Sequence, residues 1–588
     1  MDNSITQCEY VSTKQAKCRD CYRCLKSCPV KAIKIKNGQA YIIEERCINC
    51  NICAQNCAQN AIFYKNEKDK FYEIINSGRK TVISVAPAYS SICAKWERER
   101  FPSALRRLGF DFVTGASVAA NIVAQQTMKI VNDNPDKSYI TSLCPTVINY
   151  IERYCPDLID NLIPIASPYL VHARWMKQRF GDDVIVVHAD ACLPKKMEIL
   201  RPEFKGLVDL VLSFAELKTL FEENNIELKS CEESDFEDFP VGNARLYQMV
   251  GGLSTVAGIK EETKTLAISG FQDVKNSLDF VKTNSGILVE PLFCYKGCIN
   301  GPGMHIKSNI FERRKELVEY ITTKKYKPVE DDLLKDVAID ITRTFNRENV
   351  LQKPTFTIGQ IKEILAKTGD PNPEKRPNCF SCGYPTCNDN AIAVLENMAE
   401  IEMCIPYMRR FAESKATKII DSSPYGVVTL NSQYEIISMN QAFKSFFVVS
   451  DSAIGKPISH IMDPEPFHKL NTEKLEILDC TVKHEKYGIV CNQVIYKLAD
   501  DHSYVGMFIN ITKSIADKSH LDELRKRTLN QAQELLAQQI NMATGISKIL
   551  GENTAYSEAL LDNLIKFTQG EQSQAQPDNF DDNFPITL

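Results

Sequence analysis

Short apolar runs, rich in β-branched residues and bounded by turn or helix signals, recur between residue 80 and about residue 328: TVISVAP at 81–87, DVIVVH at 183–188 and GILVE at 286–290. Runs of this kind read as strands buried on both faces, so an alternating α/β domain on parallel sheet is expected here. A second texture begins at Ile419. Its pattern predicts helix, strand, turn, strand and then a helix opened by Asn440-Gln441-Ala442-Phe443, with 504–512 as the last strand of a small α+β domain. Residues 390–403 and the charged stretch 408–418 are expected to be helical. From 516 to 568 the apolar positions Leu521, Leu524, Leu535, Leu536, Ile540, Ile546, Ile549 and Leu550 fall at helical spacing. That pattern suits a signalling coiled coil or a helix packed within the chain. The polar segment 569–588 is expected to be disordered.

With 588 residues the chain is long enough for three to five domains. Basic and acidic residues number 70 and 75, giving a net charge of −5 and no electrostatic case for nucleic acid or an anionic membrane. Neither a signal-peptide pattern nor an apolar run of membrane-spanning length is present in the sequence, so a cytoplasmic protein is expected. The 22 cysteines change the picture most, because they cluster at metal-ligand spacings rather than spreading as a disulfide framework would.

The first cysteine group repeats. Cys18, Cys21, Cys24 and Cys28 are followed by Cys47, Cys50, Cys53 and Cys57 at the same CxxCxxCxxxC spacing. This is the bacterial two-cluster ferredoxin pattern, in which the fourth cysteine of each run crosses to the other cubane. The resemblance assigns Cys18, Cys21, Cys24 and Cys57 to one [4Fe-4S] cluster, and Cys47, Cys50, Cys53 and Cys28 to the second. Zinc is the competing reading, and eight cysteines at these spacings weigh against it. Cys8 stands outside the pattern.

Three further segments read TSLCP (141–145, holding Cys144), DACLPKK (190–196, holding Cys192) and EPLFCYKGCINGPG (290–303, holding Cys294 and Cys298). Taken alone, the CxxxC turn could be two core cysteines one helical turn apart. Together the three segments offer four thiolates, the number that holds a cubane. In this order they resemble the TSCCP, MPCxxKK and ExMACxxGCxxGGG motifs of the [FeFe]-hydrogenase family, over roughly residues 67–330. The resemblance implies an H-cluster: a [4Fe-4S] cubane joined through one cysteine, here Cys298, to a two-iron subsite carrying carbonyl, cyanide and a dithiolate bridge. Lys195 matches the family lysine that contacts a cyanide, and Ala86 and Pro87 match an Ala-Pro turn against the same subsite.

Departures from the family are as informative. Leu143 stands where the family has a proton-relaying cysteine, Ile163 where it has a relay serine, and 112–132 contains no Asp or Glu to supply the relay glutamates. Asp190 and Leu292 replace the two methionines that pack on the subsite. Asp190 and Glu198 are therefore the candidates for a different proton route, each weighed against an ordinary structural carboxylate.

Downstream, Cys379, Cys382, Cys387 and Cys404 resemble a small [4Fe-4S] module, with a zinc knuckle as the alternative. The segment from Ile419 resembles the start of a PAS domain, whose His460, His468, His484 and His502 read as surface histidines. The expected organisation is a two-cluster ferredoxin-like domain (1–66), an α/β [FeFe]-hydrogenase H-cluster domain (67–345), a [4Fe-4S] module (346–411), a PAS α+β domain (412–515), a signalling helix (516–568) and a tail (569–588). The expected activity is slow hydrogen oxidation or proton reduction by a sensory hydrogenase. Its partners would be hydrogen and protons, a ferredoxin-like redox protein and a downstream kinase or phosphatase, with a homodimer through the PAS domain or the C-terminal helix. The two rivals are a catalytic hydrogenase with a non-standard proton path, and an iron–sulfur redox sensor that lacks the two-iron subsite.

Overall fold

The computed structural model describes residue 8, residues 10–512 apart from 239–242, 260–264, 305–307, 324–337, 369–371, 373, 375, 474 and 499–502, and residues 530–539 and 542. Most of the expected signalling helix, all of the tail and His502 lie outside the described residues; 531–539 are helical. The chain divides into two compact units, 1–403 and 404–588.

The first unit begins with two antiparallel pairs, Val11–Thr13 with Ile62–Tyr64 and Ile33–Lys36 with Gln39–Ile42, and two short helices, Arg23–Ser27 and Ile52–Gln55. The sequence repeat is also a backbone repeat. Tyr22 and Asn51, each following the second cysteine of its run, take left-handed φ of 54° and 61° and turn the chain into the helix that carries the third cysteine.

The central α/β region holds two parallel sheets. One orders Phe112–Gly115, Thr81–Val85, Ile185–Asp190 and Leu210–Ser213; the other orders Thr265–Ser269, Leu288–Leu292 and Tyr139–Ile140. The strands Thr81–Val85, Ile185–Asp190 and Leu288–Leu292 are buried at every residue, as continuous apolar runs in parallel sheet should be. Two start later than their apolar runs suggest. Val184 still belongs to the turn that follows Gly181, and Gly286 adopts a φ of 68° ahead of Leu288.

Residues 377–403 pack on the N-terminal region and share its core through Tyr384, Ala393, Met398 and Met403. The helix expected over 390–403 is instead Cys387–Leu395, followed by a 3-10 turn at Ile401–Met403. Thr386 and Asp389 form a capping box that starts it early, and Asn397, at φ 56°, ends it.

The second unit opens with an 18-residue helix, Ile405–Ser422, longer than the charged stretch 408–418 alone predicts. Then comes a five-stranded antiparallel sheet ordered Ile436–Met439, Gly426–Leu430, Tyr504–Asn510, Ile489–Lys497 and Ile477–His484. Its core is filled by Phe443, Phe447, Phe467 and Phe508, and a Cβ on Gly506 would come within 3.1 Å of the Phe467 ring. His484, expected at the surface, is buried, with its Nε2 2.7 Å from Gln493 Nε2. Strand alternation turns it inward beside Phe447. Among the described residues no helix is long and apolar enough to cross a membrane.

Candidate metal centre

Parallel strands deliver functional loops at their carboxyl ends, and all three cysteine motifs lie there. Cys144 follows Tyr139–Ile140, Cys192 follows Ile185–Asp190, and Cys294 follows Leu288–Leu292. Cys144, Cys192, Cys294 and Cys298 line one cavity together with Leu143, Ser167, Lys195, Tyr247, Gln248 and Leu292. Glycine makes this convergence possible. A Cβ on Gly301 would sit 2.5 Å from the Ala191 carbonyl oxygen, and the Gly303 N–H donates to that same oxygen at 2.7 Å, so the CxxxC turn lies flat on the segment carrying Cys192.

Two smaller cavities hold the ferredoxin-type cysteines. Cys18, Cys21, Cys24 and Cys57 surround one, while Cys28, Cys47, Cys50 and Cys53 surround the other, the crossed grouping that the repeat implies. Cys50 lines both the second of these and the large cavity. All 22 cysteines are among the described residues, and no disulfide joins any two of them. Zinc draws its thiolates to about 2.3 Å from one point. Thiols around a cavity suit the larger cubane. Burial pushes the thiols of Cys144, Cys192, Cys294 and Cys298 up, so binding iron must displace their protons.

Cys8, outside the motif, is buried with its Sγ 3.8 Å from Asn49 Oδ1, to which Cys47 Sγ also comes within 3.6 Å. Of the downstream group, Cys379 is exposed and Cys382 and Cys387 are partly buried. Lys31 fixes their segment by donating to the carbonyls of Gly383 and Leu25, both at 2.9 Å, and the Ile35 N–H donates to Met398 O at 2.9 Å. Cys404 lies in the second unit, as the N-cap of Ile405–Ser422.

Lys195 is buried and ion-paired with the fully buried Asp190. Burial opposes its charge, yet the Asp190 carboxylate outweighs that and holds the ammonium protonated. Asp190 pays the same burial penalty, but the Lys195 ammonium beside it keeps its carboxyl well below the usual range. Gln248 Nε2 donates to both Asp190 oxygens at 3.1 and 3.2 Å, and its Oε1 accepts from Ala88 N–H at 3.0 Å. His188 Nδ1 is 3.0 Å from the Ser84 carbonyl and must carry the proton, leaving Nε2 to accept from Lys195 at 3.2 Å. Burial and Lys195 push His188 down to about 4, so the ring is neutral. Glu198 does not line the cavity; Tyr169 donates to it at 2.8 Å and Arg343 is its ion-pair partner. Ala86 and Pro87 are buried but lie one step back, with only the adjacent Ala88 bonded to a lining residue.

Two hydroxyls on the cavity wall, Tyr247 OH and Ser167 Oγ, are buried and make no hydrogen bond. Four thiols with orphaned donors beside them fit an iron–sulfur group that carries polar ligands. His188, Gln248 and Tyr247 were not singled out from sequence. His188 and Asp190 sit two apart on one strand and so share a face, a signal that was there to be used.

Comparison with known proteins agrees with this chemistry. Residues 79–302 match a family described as "Iron only hydrogenase large subunit, C-terminal domain", 17–62 match a "4Fe-4S dicluster domain", and 377–406 match an Fe-S cluster family. The chain is thus an iron–sulfur protein. More particularly, it is hydrogenase-like over residues 79–302, the stretch that matches the large-subunit domain. "Iron hydrogenase 1" of Clostridium pasteurianum is 26% identical over 383 residues, which are 52% of this chain and 66% of that protein. "NADP-reducing hydrogenase subunit HndD" of Solidesulfovibrio fructosivorans is 29% identical over 183 residues, 27% of this chain and 31% of that one. "Cytosolic Fe-S cluster assembly factor NAR1" of Vanderwaltozyma polyspora is 30% identical over 105 residues, 18% of this chain and 20% of that one. The chain thus spans less than two thirds of each of these relatives. Among solved structures, a variant of [FeFe]-hydrogenase HydA1 from Chlamydomonas reinhardtii is 15% identical with a TM-score of 0.37, covering 49% of this chain and all of that one. A PAS domain of an HTR-like protein from Haloarcula marismortui is 14% identical with a TM-score of 0.15, covering 18% of this chain and 95% of that one.

Proposed function

We propose that this protein is a sensory hydrogenase. In this reading Cys144, Cys192, Cys294 and Cys298 hold an H-cluster, and hydrogen is turned over slowly. The observation that carries it is a four-cysteine cavity whose wall supplies Leu143 in place of a relay group, while Ile163 lies buried in the apolar core. When bound, the cluster supplies reversible interconversion of hydrogen with protons and electrons. The side chains around it hold charge still. Asp190 is committed to Lys195, and Glu198 to Arg343 and Tyr169. Positioned acid–base transfer typically contributes ~10² to 10⁴ in rate, and losing it should cost turnover on that order.

Cys50, shared by two cavities, supports an electron route from the H-cluster into the ferredoxin-type clusters, and the packed segment 377–403 supports a further step toward the surface. The second unit, read as a PAS domain, would pass the redox state to a kinase or phosphatase partner. This last step rests on domain order. A dye-linked hydrogen assay on the matured protein tests the reading. Turnover ~10² to 10⁴ below that of relay-equipped enzymes is expected, with hydrogen–deuterium exchange still measurable, and fast turnover would sink it. A second reading, a cubane-only iron–sulfur protein, draws support from the likeness to the assembly factor and from the tying of Lys195 to Asp190. It predicts no exchange at all.

A further inference from the structure

We propose that Tyr247 is a cofactor-binding residue of this centre, whose phenol donates a hydrogen bond to an acceptor ligand on the metal group, with Ser167 as a second donor; this rests on the H-cluster reading above. Tyr247 is 5% exposed and Ser167 2%, and neither hydroxyl has a protein partner. A buried donor left unsatisfied forfeits its hydration without recompense. Two of them along the wall of one cavity point to an acceptor that the protein itself does not supply.

The rest of the wall narrows what that acceptor is. Gln248 is consumed at both ends, by Asp190 and by the Ala88 N–H. Lys195 gives N–H groups to Asp190 and His188 and lies over the Tyr169 ring, 4.0 Å from its centroid. With the cysteines committed to iron, the lining also carries the ammonium of Lys195 and the hydroxyls of Tyr247, Ser167 and Thr146. Such a wall favours a ligand presenting lone pairs and little else, which describes a metal-bound cyanide nitrogen better than a carbonyl oxygen, the weaker acceptor. Placement agrees, because Tyr247 and the proposed bridging cysteine, Cys298, line the same cavity.

Position 247 is held rigidly. It lies in the 3-10 turn Ala244–Gln248, closed by Met249 N–H donating to Leu246 O at 2.7 Å and fixed by the two-ended bonding of Gln248. A phenol fixed in this way can discriminate between ligand positions on the metal group. It acts by orientation and polarisation, and no proton need leave it.

Infrared spectra of matured wild-type and Tyr247→Phe holoprotein test this, with iron content and circular dichroism as controls. At least one cyanide band is expected to shift on substitution while the carbonyl bands move less. 3-Fluorotyrosine at 247, a stronger donor, should move the same band the opposite way, and this arm decides the matter if Tyr247→Phe does not fold. Identical cyanide bands in all proteins would overturn the role of Tyr247 and leave the H-cluster reading standing. No carbonyl or cyanide bands in any of them would overturn that reading and this inference with it.

Discussion

The buried pair Lys195–Asp190 decides more at this site than any other contact between side chains. Breaking a buried ion pair by removing one partner typically costs about 3–5 kcal/mol, because the other charge is left uncompensated. Asp190→Asn is therefore expected to lower stability by that order in chemical denaturation, and a loss below about 1 kcal/mol would show that the pair carries no such weight. Acidification should also destabilise the domain. Burial lowers His188 to about 4 and His172 to about 3 from a usual value near 6.5. The unfolded chain thus binds protons that the folded one refuses, and stability falls as pH drops from about 6.5 toward 4. Melting points of the metal-free protein across that window check the sign; no change, or a rise, would contradict it. At this scale the cysteines were legible because ligand spacing is local in sequence. Tyr247, Gln248 and Ser167 were not, because what marks them is a missing partner inside a cavity.

Among elements, the glycine turn after Cys298 shows how the chain closes its site. Any side chain at 301 would meet the Ala191 carbonyl oxygen at 2.5 Å and that of Cys298 at 2.9 Å. Gly301→Ala should therefore push the turn off Ala191. Overpacking of this kind costs roughly 1–3 kcal/mol, and the variant should lose iron from the four-cysteine site while keeping the ferredoxin-type clusters, as read by iron analysis and electron paramagnetic resonance. Full iron occupancy would contradict the account. The buried strands were readable as elements, since unbroken β-branched runs have few other solutions. Their order was not. That Tyr139–Ile140 pairs with Leu288–Leu292, almost 150 residues later, depends on packing that no local pattern encodes. The helix Cys387–Leu395 starts before its apolar pattern suggests, because Thr386 and Asp389 form a capping box there.

In the first unit, Cys50 lines both the four-cysteine cavity and one of the two ferredoxin-type cavities. The large cavity keeps its thiols and its polar donors, while its wall carries leucine in place of a relay group and two tied carboxylates lie behind it. The proposal that this centre registers hydrogen more than it produces it rests on that wall. The central claim is that the centre holds a two-iron group with carbonyl and cyanide ligands, and infrared spectroscopy of the matured holoprotein measures it directly. Carbonyl and cyanide bands that respond to hydrogen are the predicted result; a protein fully loaded with iron and sulfide that shows no such bands would contradict it.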